Sequence, residues 1–320
     1  MTSSNPGPTY EGRPLPRPDE ELVDQGLAFD LGTLFDRRRA LQVFGVGIAG
    51  AGLAACGSGS STATTSTSAT ATASASASAS ASASAVGDLT EIPDETAGPY
   101  PGDGSNGADV LEQSGVVRQD IRSSFGSASG TATGVPMTLE LTILDIAGGG
   151  APMVGAAVYV WHCTADGNYS MYSQSVVNEN FLRGVQITDG SGVVSFTSIF
   201  PGCYSGRWPH IHFEVYPDEA SITDSTNNIG TSQVALPQNA CEAVYATDGY
   251  SSSPGNLAQL TLATDNVFGD DGGIHQIGAA TGDTAAGYTV KLTVPIDTAT
   301  AVTAGSMAGG GDGAPPAPPS

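Results

Sequence analysis

His210-Ile211-His212 is the segment on which chemistry is most readily built. It opens an alternating run, His210–Tyr216 (HIHFEVY), and residues two apart in a strand project from one face. Two imidazoles side by side can chelate one metal ion. Alone, the same pattern also fits two surface or core histidines, and both readings stay open on these residues. Just upstream, Pro201-Gly202-Cys203-Tyr204 reads as a turn that delivers Tyr204 to the mouth of the histidine strand, and Arg207-Trp208-Pro209 follows it. Further back, Trp161–Tyr172 (WHCTADGNYSMY) ends a strand, turns at Asp166-Gly167 and presents Tyr169. A single tyrosine at a strand end is commonly a rim aromatic, and Arg207 alone could be a surface charge. His162 and His275 have no such company and read as structural.

The elements that must position these side chains read as β. Met137–Asp145 alternates with period two. Gly155–Cys163, Gly192–Ile199, His210–Tyr216, Thr231–Leu236, Leu257–Ala263 and Tyr288–Val294 are further candidate strands, each bounded by turn-forming residues. No stretch of twelve or more residues here carries a convincing helical stripe. Short strands with turn signals between them predict an all-β, antiparallel sandwich. Gly148-Gly149-Gly150 lies between two strands and is a turn, without the context of a phosphate loop.

Taken together, the residues resemble the intradiol ring-cleavage dioxygenases, the family that includes protocatechuate 3,4-dioxygenase and catechol 1,2-dioxygenase. The likeness is carried by Trp161, Gly167-Asn168-Tyr169, Pro201-Gly202-Cys203-Tyr204 and Arg207-Trp208-Pro209-His210-Ile211-His212-Phe213, and it runs from about Glu91 to Val294. It implies that Tyr169, Tyr204, His210 and His212 hold a non-haem Fe(III), and that Arg207 is the active-site arginine. Gln233 matches a substrate-pocket glutamine. Thr96-Ala97-Gly98-Pro99-Tyr100 resembles a pocket-lining segment, so that Gly98 and Pro99 would meet the substrate. The residue types suit that chemistry. Phenolates are hard anionic donors that favour Fe(III) over Fe(II) and help balance its charge in a buried site. The implied reaction opens a catechol-type ring with O2 between its two hydroxylated carbons, giving a cis,cis-muconate-type diacid. Tyr204 would leave the ion and take a substrate proton, and Arg207 would stabilise developing negative charge. The segment between Tyr204 and Arg207 is shorter than in protocatechuate enzymes, and no helical N-terminal dimerisation domain of the catechol-enzyme kind is visible. Substrate and oligomeric state therefore stay open. The alternative function is a non-catalytic, tethered β-sandwich for binding or adhesion, which would need no such donors and would be colourless.

The flanks read as an address. Residues 1–56 contain Arg37-Arg38-Arg39, a short apolar run Val43–Ala55, and Leu53-Ala54-Ala55-Cys56. This order resembles a twin-arginine export signal that ends in a bacterial lipobox, with Cys56 lipidated. Residues 57–86 are a Ser/Ala/Thr-rich tether, 87–304 the dioxygenase-like domain, and 305–320 a disordered Gly/Pro/Ala tail. The expectation is an exported protein, anchored at the bacterial cell surface or extracellular, touching membrane only through its lipid. The twin-arginine route carries folded proteins, so a metal could be inserted before export. The net charge is −22 with ten Lys and Arg, five of them before Cys56, which excludes a phosphate-neutralising surface and hence nucleic acid as a partner. Cys163, Cys203 and Cys241 remain in the exported domain, so one disulfide and one free thiol are expected. Cys203–Cys241 is the favoured pair, because Cys203 and the Pro237–Ala243 loop both fall near the presumed pocket rim.

Overall fold

The alternation in β3 (Pro136–Asp145) becomes a layer with one buried face. Met137, Leu139, Leu141 and Ile143 are buried, and most residues between them are part-exposed. The computed structural model describes residues 89–302, and nearer the N-terminus only the backbone pairing of β1 (Thr9–Tyr10) with β2 (Arg13–Pro14). The expected signal segment with Cys56, the tether and the tail otherwise lie outside the described residues.

Around β3, β7 (Val193–Ile199) pairs antiparallel, β4 (Ala151–Pro152) pairs with the strand end, and β11 (Gly287–Ile296) pairs in parallel. β10 (Ala279–Asp283) completes this five-stranded sheet beside β11. The second sheet is antiparallel throughout, in the order β6 (Arg183–Ile187), β5 (Ala157–Trp161), β8 (His210–Tyr216), β9 (Gly230–Ala235). The sandwich is therefore antiparallel as expected, with one parallel ladder, β3 with β11, among the described strands.

β5, β8 and β9 are buried at every position, because both faces of the second sheet are covered. Val158, Val160, Ile211, Phe213, Val215 and Val234 share the inter-sheet core with Leu139, Leu141, Phe196 and Val290. Tyr159, Trp161 and Tyr216 point the other way. They pack with Tyr100, Val110, Leu111 and Tyr169 from irregular segments laid across the outer face. Strict alternation puts His210 and His212 on that covered outer face.

Three expectations are corrected. Leu257–Ala263 is not a strand: α2 (Ser253–Leu257) and a 3-10 turn at Leu262–Thr264 occupy it, with Pro254 in the first helical turn. The Pro237–Ala243 loop is mostly α1 (Gln238–Tyr245), which buries Ala240, Cys241, Val244 and Tyr245. Two turns are too short for a helical period to stand out. The Cys203–Cys241 disulfide is not formed; both thiols, and that of Cys163, are free and buried. The Cys203 thiol donates instead towards the carbonyls of Tyr204 and Arg207, 3.8 Å from each. Cys241 sits on the buried face of α1 as a small apolar residue.

Candidate active site

Two turns and one strand meet on the covered face. After β5 ends at Trp161, the Thr164 N–H donates to Asn168 O at 2.8 Å and the Asn168 N–H donates to Thr164 Oγ1 at 2.9 Å. This tight loop needs Gly167 in the left-handed region, φ 87°, and it swings Tyr169 back over the sheet. Gly167 also admits the second turn, since a Cβ there would stand 3.2 Å from Cβ of Tyr204. The Gly202 N–H donates to Thr164 O at 3.0 Å, so the two turns are fixed to each other. Met171 (φ 69°) and Leu182 (φ 56°) are non-glycine residues in the same strained region of backbone, close in sequence to Tyr169 and Arg183.

The four expected donors converge. The Tyr169 and Tyr204 hydroxyls are 3.5 Å apart, Tyr204 Oη is 3.2 Å from His210 Nε2, and the two histidine Nε2 atoms are 3.0 Å apart. An ion with bonds of about 2 Å holds neighbouring donors roughly 2.8–3.5 Å apart, so these spacings fit one centre. The His210 Nδ1–H donates to Trp208 O at 2.5 Å, which leaves Nε2 as a lone pair aimed at the other donors. His212 lies flat on its cross-strand neighbour Trp161, with centroids 4.8 Å apart and planes 6° apart, and its Nδ1 is buried without a hydrogen-bond partner. Gly98 (φ 70°) passes over that ring, where an added Cβ would come within 3.3 Å of Cε1.

Electrostatics decide what such a site can hold. Burial pushes both imidazoles down, His210 to about 3, so each is neutral and keeps its lone pair at neutral pH. Burial pushes both phenols up, so without a cation they remain hydroxyls. No group of three or more His, Cys, Asp or Glu that could hold a metal occurs among the described residues. The phenols are therefore indispensable to a four-donor site. A hard, highly charged cation is what would convert them to phenolates, and the donor set fits such an ion.

Arg207 is fixed beside this cluster. Its Nε donates to Asp265 Oδ2 at 3.0 Å and its Nη2 donates to Gln233 Oε1 at 2.8 Å. Gln233 in turn donates from Nε2 to Thr96 O at 2.9 Å, tying the Gly98 segment to β9. Pro99 follows Gly98, its carbonyl accepting from Asn106 Nδ2 at 2.8 Å, and the Tyr100 ring packs 5.0 Å from that of Tyr169. His162 is structural as expected, bonded to Ser198 Oγ at 2.7 Å and to Cys163 O, and His275 is exposed.

Sequence reasoning missed two residues. Asp265 accepts from Arg207, from the Trp208 N–H at 2.6 Å, and from the Val267 and Phe268 N–H groups. Burial pushes its carboxyl up, but Arg207 and these donors outweigh that and hold it below the ordinary range. Its one local signal is an Asp at the head of a turn, a common pattern. Arg183, 1% exposed, donates to the carbonyls of Tyr100, Pro101 and Ser170 and so clamps the segment before and the segment after the site. A cation scarce in the domain and placed beside a strand was the available hint.

Comparison with known proteins relates part of the chain to dioxygenases. A family model, Dioxygenase_C, described as Dioxygenase, matches residues 118–212, a span containing Tyr169, Tyr204, Arg207, His210 and His212. The chlorocatechol 1,2-dioxygenase of Rhodococcus opacus is 33% identical over 88 residues. That match spans 22% of this chain and only about a third, 34%, of the curated relative's length. The solved intradiol ring-cleavage dioxygenase from Tetranychus urticae is similar in fold, with TM-score 0.53 and 21% identity, over 67% of this chain and 98% of its own. A further solved dioxygenase gives TM-score 0.54 and 21% identity over 68% and 98%.

Proposed function

We propose that this chain is an intradiol ring-cleavage dioxygenase that opens a catechol-type ring with O2 between its two hydroxylated carbons, yielding a cis,cis-muconate-type diacid; the matched dioxygenase segment, the curated relative and the shared fold support that reading. Tyr169, Tyr204, His210 and His212 are the residues that would hold a non-haem Fe(III). The observation that carries the reading is their convergence, with neighbouring donor atoms 3.0–3.5 Å apart, inside the matched segment.

When bound, the ferric ion would supply a Lewis-acidic centre that makes a chelated catecholate reactive towards O2. The chain does the rest. Tyr204 is less deeply buried than Tyr169 and belongs to the turn that precedes the histidine strand, so it is the phenol suited to accept a substrate proton. Arg207, oriented by Asp265 and Gln233, presents a fixed positive charge to the electron-rich ring. Gly98 leaves room beside His212, and the covered sheet face keeps water out. Export and lipid anchoring at Cys56 belong to the same proposal and rest on Arg37-Arg38-Arg39 and the Leu53–Cys56 motif. Among the described residues no helix is long and apolar enough to cross a membrane.

The test is direct. Purified protein supplied with ferric iron should show a visible phenolate charge-transfer band. It should consume O2 and catechol one for one and release a ring-opened diacid detectable by mass. A colourless protein that retains no iron and leaves every catechol intact would instead be a tethered binding module.

A further inference from the structure

The charges around the site bear on which catechols it can take. Residues 89–302 contain five Lys and Arg side chains, and each is already engaged. Arg118 donates to the carbonyls of Arg183 and Asn180 and lies 4.5 Å over the Phe125 ring. Arg183 is spent on the carbonyls around the site. Arg122 pairs with Asp120, next to the backbone bonded to β7, and Lys291 pairs with Glu140 between β11 and β3. Both pairs belong to the side of the five-stranded sheet. That leaves Arg207, held between Asp265 and Gln233. Turning it to an incoming carboxylate would strand the Asp265 side chain, 0% exposed, without its counter-charge.

One carboxylate, by contrast, stands on the segment that passes over His212. Glu95 lies three residues before Gly98. Its N–H donates to Thr231 O on β9 at 2.7 Å, and its Oε1 accepts from Gln276 Nε2 at 3.2 Å. The exposed Asp270 and Asp271 act on it through space, and so does Arg207 in the opposite sense, which puts Glu95 within electrostatic reach of the arginine beside the donors. An anionic ring substituent entering beside Glu95 would meet like charge, with no uncommitted Lys or Arg among the described residues to receive it.

We infer that the site selects catechols whose ring substituents are uncharged or cationic and discriminates against those bearing a carboxylate, with Glu95 as a specificity-determining residue. The inference rests on the catechol reading above. Burial pushes the Glu95 carboxyl up to about 7, so the test is run at pH 8, where it is ionised.

Three para-substituted catechols isolate the charge: 4-ethylcatechol, 3,4-dihydroxyphenylacetate, whose methylene insulates the ring from its carboxylate, and dopamine. Dissociation constants come from calorimetry on the purified protein, and kcat/KM from oxygen uptake. The anionic compound should bind, and be turned over, at least tenfold worse than the neutral one, with dopamine no worse than the neutral one. Glu95→Gln should shrink the anionic penalty at least threefold, in both the dissociation constant and KM. An anionic catechol accepted as well as the neutral one, or a penalty unmoved by Glu95→Gln, overturns the inference while leaving ring cleavage intact. Failure of all three to bind overturns the catechol reading, and this inference with it.

Discussion

Tyr204 and Arg207 lie three positions apart in the sequence and should fail differently when replaced. Tyr204→Phe keeps the ring but deletes a donor and a proton acceptor, so iron content and the visible band should both fall. Arg207→Leu removes no donor; iron and colour should survive while turnover drops roughly a hundredfold or more, as on losing one fixed electrostatic group. Metal analysis with steady-state turnover separates the two, and near wild-type rates for Arg207→Leu would remove it from the mechanism. Asp265→Asn should reproduce part of the arginine defect without touching a donor, and should destabilise the fold by about 1–3 kcal/mol. The sign of its pH dependence is set by the lowered Asp265 pKa. The carboxylate's stabilisation is complete above the ordinary carboxylate range and is lost as pH falls through the lower folded value. The stability gap between wild type and Asp265→Asn should therefore close in acid, as followed by urea unfolding. The four converging side chains and Arg207 were legible because they lie in short motifs. Asp265 was not, because its partner is 58 residues away and only the fold brings them together.

β8 carries both histidines on one face and Ile211, Phe213 and Val215 on the other, so the strand that builds the core also aims the donors. This double duty was half visible in the sequence: alternation gave the strand, but its complete burial depends on distant segments laid across it. The same limit hid β6, whose pairing with β5 is long-range, while α1 was hidden by its shortness. Gly98→Ala tests the covering segment. A Cβ at φ 70° against His212 should cost about 1–3 kcal/mol of strain and weaken metal retention, with the far-UV spectrum unchanged. Just past the end of β5, burial pushes His162 down to about 4. Its folded pKa is thus below the unfolded value, so the stabilisation it contributes is whole above about pH 6.5 and drains away as pH falls towards 4. His162→Gln should flatten the stability profile in that window by up to about 1.4 kcal/mol per pH unit, relative to wild type.

At the scale of the whole molecule, a metal site is proposed on a lipid-held tether. Cys56→Ser should shift the protein from the membrane fraction to the soluble exported fraction, as read by fractionation and immunoblot. Stable anchoring takes more than one acyl chain, so the lipidated mass should show several. Wild-type protein found soluble in the cytoplasm would end the export reading. The chain's net charge of −22 on 320 residues favours solubility through mutual repulsion between copies.

The three unpaired cysteines bear on the order of events in the protein's life. A domain whose thiols are all buried and free has no covalent step that must wait for an oxidising compartment. If the proposed ferric centre and export both hold, maturation would run to completion, iron included, before the chain left a reducing compartment. What crosses the membrane would then be finished cargo rather than an unfolded chain. A thiol reductant should accordingly leave the thermal midpoint of the iron-free protein unchanged.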